Sequence, residues 1–231
     1  MQVIYIIIAL VLSYLFGSIP FGLILGKLVR GIDIREHGSG SVGTTNVART
    51  LGLKWALINF IFDALKGALP IILIAYVFRL SNLYLINNIN IITIYGAVAA
   101  LGHIFSIYIK FKGGKAIATG VGAVIAISPV VGVAGILIYL LILAITKYSS
   151  LGSIIAATLV GVGVYLDVFI WQIWLTGGPR VQVVNLVIMA LLVCLIIFKH
   201  RSNIIRLLNG TEPKFGKKNK NKLKEETTNF E

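Results

Sequence analysis

Three short polar stretches interrupt an otherwise apolar chain, and each combines cationic side chains with glycine, hydroxyl or amide groups. The stretches are 35–49 (REHGSGSVGTTNVAR), 110–115 (KFKGGK) and 199–206 (KHRSNIIR). Fixed positive charges and unpaired backbone N–H groups both favour an anion, so this combination is suited to binding a phosphate. We therefore expect the three stretches to assemble one anion-binding site.

The first stretch supplies turns, hydrogen-bonding groups and one bidentate cation. Its glycines leave the backbone free to turn tightly, and Arg49 presents a planar fork of donors. The candidate hydrogen-bonding side chains are Ser39, Thr45 and Asn46. On these residues alone, a solvated and flexible loop remains the alternative.

The second stretch resembles a phosphate loop but lacks a Walker A pattern. That pattern requires glycine where this chain has Ile109 and a hydroxyl where it has Ala116. We expect the glycine pair to let a phosphate approach the backbone while the flanking lysines add charge at the start of a helix. The candidate binding residues are Lys112, Gly113, Gly114 and Lys115. A basic loop that touches lipid headgroups is the alternative.

The third stretch places His200, Asn203 and Arg206 three residues apart, so they share one helix face. His37 and His103 are the other histidines, and no ligand pair of the usual spacing predicts a metal site. The sequence likewise predicts no cofactor.

Asp63 and Lys66 lie one turn apart within an apolar run. Ionisable groups inside a membrane favour a functional hypothesis, but a mutual i, i+3 pair explains them more simply, and we interpret them as structural. Ser153 is expected near the same face as the three polar stretches.

The composition indicates a single integral membrane domain. The 231 residues are 58% hydrophobic and 13% charged, with a mean hydropathy of +0.94. A net charge of +13 suggests nucleic acid, but the basic residues flank apolar runs and favour anionic lipid instead. We expect a transmembrane domain over 1–216 and a basic, disordered cytosolic tail over 217–231.

Charge distribution sets the number of membrane passes. Apolar runs of spanning length occupy 3–25, 55–78, 91–109, 151–175 and 181–199, and Ser128-Pro129 divides 116–146 into two short passes. With both passes counted, 18 of the 21 Lys and Arg residues face one side. The sequence therefore predicts an all-α protein with seven transmembrane helices, an outer N-terminus and a cytosolic C-terminus. All three polar stretches then face the cytosol.

Taken together, these stretches resemble the PlsY family, the acyl-phosphate-dependent glycerol-3-phosphate acyltransferases of bacterial membranes. The similarity extends from about residue 14 to 216. The matching segments are 17–22 (GSIPFG), 33–35 (DIR), 38–40 (GSG), 45–46 (TN), 102–103 (GH), 111–115 (FKGGK), 200–203 (HRSN) and 210–214 (GTEPK). Ser41 and Ala116 depart from the family pattern, which usually has Asn and Gly there.

The resemblance implies transfer of a fatty acyl group from acyl phosphate to the 1-hydroxyl of sn-glycerol 3-phosphate. The products are lysophosphatidic acid and phosphate, the first step of phospholipid synthesis, at a cytosolic site in the bacterial cell membrane. The implied partners are both substrates, membrane lipids and an upstream enzyme that forms acyl phosphate. The implied catalytic residues are Ser39, His200 and Asn203, with Ser153 and the residues of the first two stretches in binding and Glu212 in a structural role.

The sequence leaves several hypotheses open for the mechanism and for the class of protein. The hydroxyl attacks directly, with His200 or a substrate phosphate oxygen taking its proton, or Ser39 forms an acyl-enzyme. The acyl-CoA-dependent class carries aspartate five residues after histidine, whereas here those positions are Val42, Tyr108 and Ile205. An organophosphate transporter is the alternative outside enzymes, although polar groups gathered at one face do not favour it.

Overall fold

The computed structural model describes residues 2–77, 85–86, 89–90, 92–176 and 183–216. Within these ranges the chain forms ten α-helices: α1 (Gln2–Ser18), α2 (Phe21–Arg30), α3 (Thr44–Thr50), α4 (Leu53–Ile72), α5 (Ile92–Ile104), α6 (Ile117–Ile127), α7 (Pro129–Thr146), α8 (Ser149–Thr176), α9 (Val183–Lys199) and α10 (Arg201–Leu208). Two 3₁₀ turns (Ile34–Glu36 and Ile107–Ile109) and a π-helical turn (Leu73–Val77) accompany them. Two short antiparallel strands, β1 (Leu85–Ile86) and β2 (Ile89–Asn90), complete the fold.

Five helical segments are long and apolar enough to cross a membrane, which confirms a helical integral membrane protein. They are Gln2–Arg30, Leu53–Ala75, Ile92–Ile109, Pro129–Thr146 and Ser149–Leu166. The last part of α9 together with α10, bent by 54°, makes a sixth if the pair counts as one span. The orientation of the termini and the seventh pass stay predictions.

The division of 116–146 falls at Ser128, as the sequence predicts, because Pro129 starts a new helix there. Only α6 is short, with 11 residues, whereas α7 has 18 and is longer than we expected. The predicted tail over 217–231 lies outside the described residues.

Glycines set how closely the central helices approach. A Cβ on Gly17 would meet the backbone of Ala99, which places α1 directly on α5. In the same way Gly67 and Gly122 bring α4 and α6 together, since added methyls would meet backbone carbonyls of the facing helix. Small residues permit such close packing inside a membrane, where dispersion contacts and hydrogen bonds hold helices together. Gly96 of α5 lies against Ile71 of α4 and Ala123 of α6, so α1, α4, α5 and α6 form one packed unit.

The buried ion pair of α4 fastens this unit to the break between α1 and α2. Lys66 Nζ lies 2.7 Å from Asp63 Oδ1, and both side chains are almost fully buried. Lys66 Nζ also donates to the carbonyl of Ile19 at 2.9 Å, just before Pro20. Asn59 donates to Asp63 Oδ2 at 2.9 Å and to Thr44 Oγ1 at 3.1 Å. The pair therefore links α4 to the break after α1, and Asn59 links both to the start of α3.

Candidate active site

A cavity of about 700 Å³ lies between α3 and the helices from α4 to α10. Each of the three polar stretches contributes to its wall, so they meet at one site as their composition predicts. The polar lining residues include Ser39, Thr45, Asn46, Arg49, Lys115, Ser149, Ser150, Ser153, His200, Asn203, Arg206 and Glu212.

Glu212 organises the polar end of the cavity. Its Oε1 accepts hydrogen bonds from Ser150 Oγ at 2.7 Å and Asn203 Nδ2 at 2.8 Å, and its Oε2 accepts from Arg206 Nε at 2.7 Å. Burial opposes ionisation, but these hydrogen bonds outweigh it, and the pKa of the Glu212 carboxyl is lowered. The carboxylate thus ties α8 to α10 from the segment that follows α10.

Lys115 is linked to the same network because its Nζ donates to Asn203 Oδ1. Burial lowers the pKa of Lys115 to about 8, and the charges of Arg206 and Arg49 act in the same direction against the attraction of Glu212. Arg49 itself donates to the carbonyl of Pro213 at 3.2 Å. Three cations therefore converge on one carboxylate, an excess of positive charge that suits an anionic ligand.

The glycine pair beside Lys115 is engaged by α5, which favours a positioning role for the second stretch over direct phosphate binding. The N–H of Gly113 donates to the Ile104 carbonyl at 3.1 Å, and that of Gly114 donates to the His103 carbonyl at 3.0 Å. A Cβ at either glycine would collide with His103, so the pair packs against the end of α5 instead of facing the cavity. Lys112 is exposed and does not line the cavity. The loop holds Lys115 in place, and the N–H groups of both glycines are already bonded within the protein.

The same loop is held in an unusual backbone conformation. Lys110, Phe111 and Ala116 have φ values of 54°, 60° and 58°, a left-handed region that is unfavourable for residues with a Cβ. Ala116 directly precedes α6 and is fully buried. Packing against α5 therefore over-determines the path of this loop.

Asn46 organises the first stretch from within. The carbonyl oxygens of Ile34, His37 and Ser41 lie 2.8, 3.1 and 2.7 Å from its Nδ2 and share its two N–H groups, while its Oδ1 accepts the N–H of Ser39 at 2.7 Å. The side chain is almost fully buried, and both of its polar atoms are occupied by the loop. Asn46 thus fixes the position of Ser39, whose side chain borders the cavity.

His200 lies at the bend between α9 and α10 and is 2% exposed. Its Nδ1 is 2.8 Å from the Ile196 carbonyl, which can only accept, so Nδ1 carries the proton. The neutral ring then keeps Nε2 as an acceptor at the cavity wall. Such a group is equipped to take a proton from a hydroxyl.

A chain of three hydroxyls on the cavity wall was missed at the level of sequence. Thr45 Oγ1 and Tyr139 OH each lie 2.9 Å from Ser149 Oγ. The serines that open α8 gave a partial signal, because Ser149, Ser150 and Ser153 share a helix face. Tyr139 gave none, since it occurs inside a uniformly apolar run.

The cavity changes from polar to apolar along two helices. On α8 the lining passes from Ser153 to aliphatic residues within one turn, and on α9 the lining residues from Met189 to Ile196 are apolar before His200. The apolar lining residues include Ile136, Leu140, Ala156, Ala157, Val160, Met189, Leu192, Val193 and Ile196. The cavity thus suits an amphiphile with an anionic head and a hydrocarbon chain. Among the described residues, no three His, Cys, Asp or Glu side chains come close enough to share a metal ion.

Residues 7–210 match the family model described as glycerol-3-phosphate acyltransferase. The chain belongs to this family. A glycerol-3-phosphate acyltransferase of Acholeplasma laidlawii is 52% identical over 224 residues, covering 94% of this chain and 96% of that relative. One of Bacillus subtilis (strain 168) is 38% identical over 210 residues, covering 90% and 97%.

Solved structures place the chain within the PlsY type of this acyltransferase family, as its motifs predict. The crystal structure of PlsY in its glycerol 3-phosphate form is 37% identical to this chain, with a TM-score of 0.76. The lysophosphatidic acid form is 36% identical, with a TM-score of 0.74. Each match covers 92% of this chain and 96% of the solved chain.

Proposed function

We propose that this protein transfers a fatty acyl group from acyl phosphate to the 1-hydroxyl of sn-glycerol 3-phosphate, forming lysophosphatidic acid and phosphate. The observation that carries the proposal is the cavity, which has converging cations at one end and an aliphatic lining at the other. A long-chain acyl phosphate has this same division between headgroup and chain. Family membership, and relatives named for glycerol 3-phosphate, support the choice of acceptor.

The cation cluster accounts for two phosphorylated substrates. Each phosphate is close to dianionic at neutral pH, so both in one site require several positive charges. Lys115, Arg49 and Arg206 surround Glu212 and supply that charge. Because Glu212 neutralises only one of them, the cluster retains a net positive charge for substrate. We place Ser153 at the boundary of the headgroup site, one turn from Ala156.

The chemistry requires positioning more than activation, since phosphate is already a good leaving group. The acceptor hydroxyl attacks the acyl carbonyl, and the C–O bond to phosphate breaks with its electron pair on phosphate. His200 Nε2 or a substrate phosphate oxygen takes the hydroxyl proton. Ser39 and Asn203 orient the reactants, while Asn46 acts as a positioning residue through its hold on Ser39.

We further propose seven membrane passes, with an outer N-terminus and the cavity open to the cytosol of a bacterial cell. The positive-inside distribution of charge supports this orientation. Single cysteines at Gln2 and Lys112 in a Cys194→Ala background test it. An impermeant thiol reagent should label position 2 from outside intact cells and position 112 only after the membrane is opened. Labelling of position 112 in intact cells would overturn the orientation.

Donor choice tests the proposed reaction. Purified protein with glycerol 3-phosphate should form lysophosphatidic acid from palmitoyl phosphate and far less from palmitoyl-CoA. Ser39→Ala and His200→Ala should each lower kcat by about 10²-fold, because both border the reacting groups. Equal activity with palmitoyl-CoA would refute the donor. Uptake of glycerol 3-phosphate into vesicles without acylation would favour a transporter.

A further inference from the structure

We propose that the hydroxyl chain of Thr45, Ser149 and Tyr139 binds the carbonyl oxygen of the acyl donor and stabilises the negative charge that forms there during transfer. This inference rests on the proposed function and extends it to a specific contact. It assigns catalytic roles to Tyr139 and Ser149, which the sequence did not single out.

Counting protons shows that the three hydroxyls have one hydrogen-bond donor that the protein does not use. Three hydroxyls carry three protons, and the contacts of Ser149 Oγ with Thr45 and Tyr139 use two of them. Within the part of the chain that the structure describes, no further hydrogen bond engages these hydroxyls. All three side chains line the cavity, and Ser149 is 4% exposed. One hydroxyl proton is therefore available to a ligand in the cavity.

The three hydroxyls lie where the carbonyl of a bound acyl phosphate must lie. Ser149 adjoins Ser150, which donates to Glu212 in the cation cluster. Tyr139 extends from α7, whose neighbouring cavity residues Ile136 and Leu140 are aliphatic. The carbonyl carbon lies one oxygen away from phosphorus and is also the first atom of the acyl chain. If the donor's phosphate contacts the cations and its acyl chain lies among the aliphatic side chains, then its carbonyl lies beside the three hydroxyls.

The chemistry requires a donor at this point. When the acceptor hydroxyl attacks, the carbonyl π electrons move onto oxygen, and they return as phosphate leaves with the electron pair of its C–O bond. The hydroxyl proton leaves with the phosphate product, so atoms and charge balance. A pre-positioned hydroxyl donor that strengthens as this oxygen gains charge lowers the barrier more than it tightens ground-state binding. Arg49 lies close enough to Tyr139 for its guanidinium charge to add positive potential at the same place.

Tyr139→Phe and Ser149→Ala test the proposal, because each removes a hydroxyl while keeping most of the side chain. A spare proton remains in either variant, but Tyr139→Phe removes the hydroxyl beside the aliphatic lining, and Ser149→Ala removes the contacts that orient the other two. Each should therefore lower kcat with palmitoyl phosphate by about 10²-fold, the usual effect of losing one oriented oxyanion donor. The inhibition constant of hexadecyl phosphate, which has the same headgroup and chain length but no carbonyl, should change by less than about threefold, since it never makes the contact. Tyr108→Phe, an exposed tyrosine outside the cavity, is the matched control and should retain wild-type kcat.

Two outcomes would overturn the inference. One is a wild-type kcat in both variants, and the other is a parallel loss of hexadecyl phosphate binding, which would assign the hydroxyls to packing. Failure of the proposed reaction is distinguishable, because the wild-type protein would then not use palmitoyl phosphate.

Discussion

The pKa of Lys115 predicts an alkaline limit on the use of glycerol 3-phosphate. Burial lowers this pKa to about 8, so in the substrate-free enzyme the Lys115 side chain is about 90% protonated at pH 7 and about 10% protonated at pH 9. Because the pKa is lowered, the charged form is lost as pH rises through 8. The pH dependence of kcat/KM reports the free enzyme, so kcat/KM for glycerol 3-phosphate should fall about tenfold between pH 7 and pH 9.

The size of this fall agrees with the contact it removes. A charge-assisted hydrogen bond contributes about 1.5–3 kcal/mol, equivalent to about 10- to 150-fold in binding. Other charges at the site stay constant over this range, because Arg49 and Arg206 remain cationic and the pKa of Glu212 is lowered. The phosphate of the substrate is already about 90% dianionic at pH 7, because its second pKa is about 6.

Initial rates of lysophosphatidic acid formation at saturating palmitoyl phosphate give the assay. Lys115→Ala should reduce kcat/KM at pH 7 by at least about tenfold and abolish the alkaline fall, since no titrating group remains. Lys115→Arg should also abolish the fall, because its guanidinium stays charged. A wild-type profile that is flat from pH 7 to 9.5 would refute the reasoning, as would an unchanged alkaline fall in Lys115→Arg.

Three further predictions concern packing. Gly122→Ala should destabilise the protein by about 1–3 kcal/mol. Gly120→Ala, which meets nothing within 4 Å, should not lower the thermal midpoint in detergent, and equal midpoints for the two variants would contradict the close contact of α4 and α6. Asp63→Asn should destabilise by about 3–5 kcal/mol, and Asp63→Leu with Lys66→Met by less, as measured by the same thermal unfolding. Gly113→Ala should lower kcat/KM for glycerol 3-phosphate by displacing Lys115, while Lys112→Ala should not; the reverse order would return the loop to direct phosphate binding.

The sequence predicted which stretches meet because polar groups in an apolar chain have few favourable locations. Arg49, Lys115 and Asn203 lie far apart in the chain, yet the distribution of basic residues predicts that they lie on one side of the membrane. Burying any of them elsewhere would leave a charge or amide unpaired in hydrocarbon. The location of the site therefore follows from solvation energy alone.

The contacts of the glycine pair and of Tyr139 could not be predicted in the same way. Gly113 and Gly114 allow close approach, but a ligand and a neighbouring helix use that property equally, and only the end of α5 decides between them. Tyr139 occurs in an apolar run where a packed aromatic ring is expected. Its hydroxyl gains a role only because Ser149 lies opposite, a contact between two helices that periodicity does not reveal.

The hydrogen bonds that the glycine pair donates to α5 also determine at which stage the loop loses its conformational entropy. Fixing one residue's backbone costs about 1–2 kcal/mol of conformational entropy, and for this loop the loss occurs during folding. A substrate phosphate that meets Lys115 therefore immobilises little more than one side chain, at about 0.5–1.5 kcal/mol. Folding of the helix bundle, and not substrate binding, therefore supplies the free energy that orders the loop. Substitutions that loosen the end of α5 would weaken substrate binding although they do not contact the ligand.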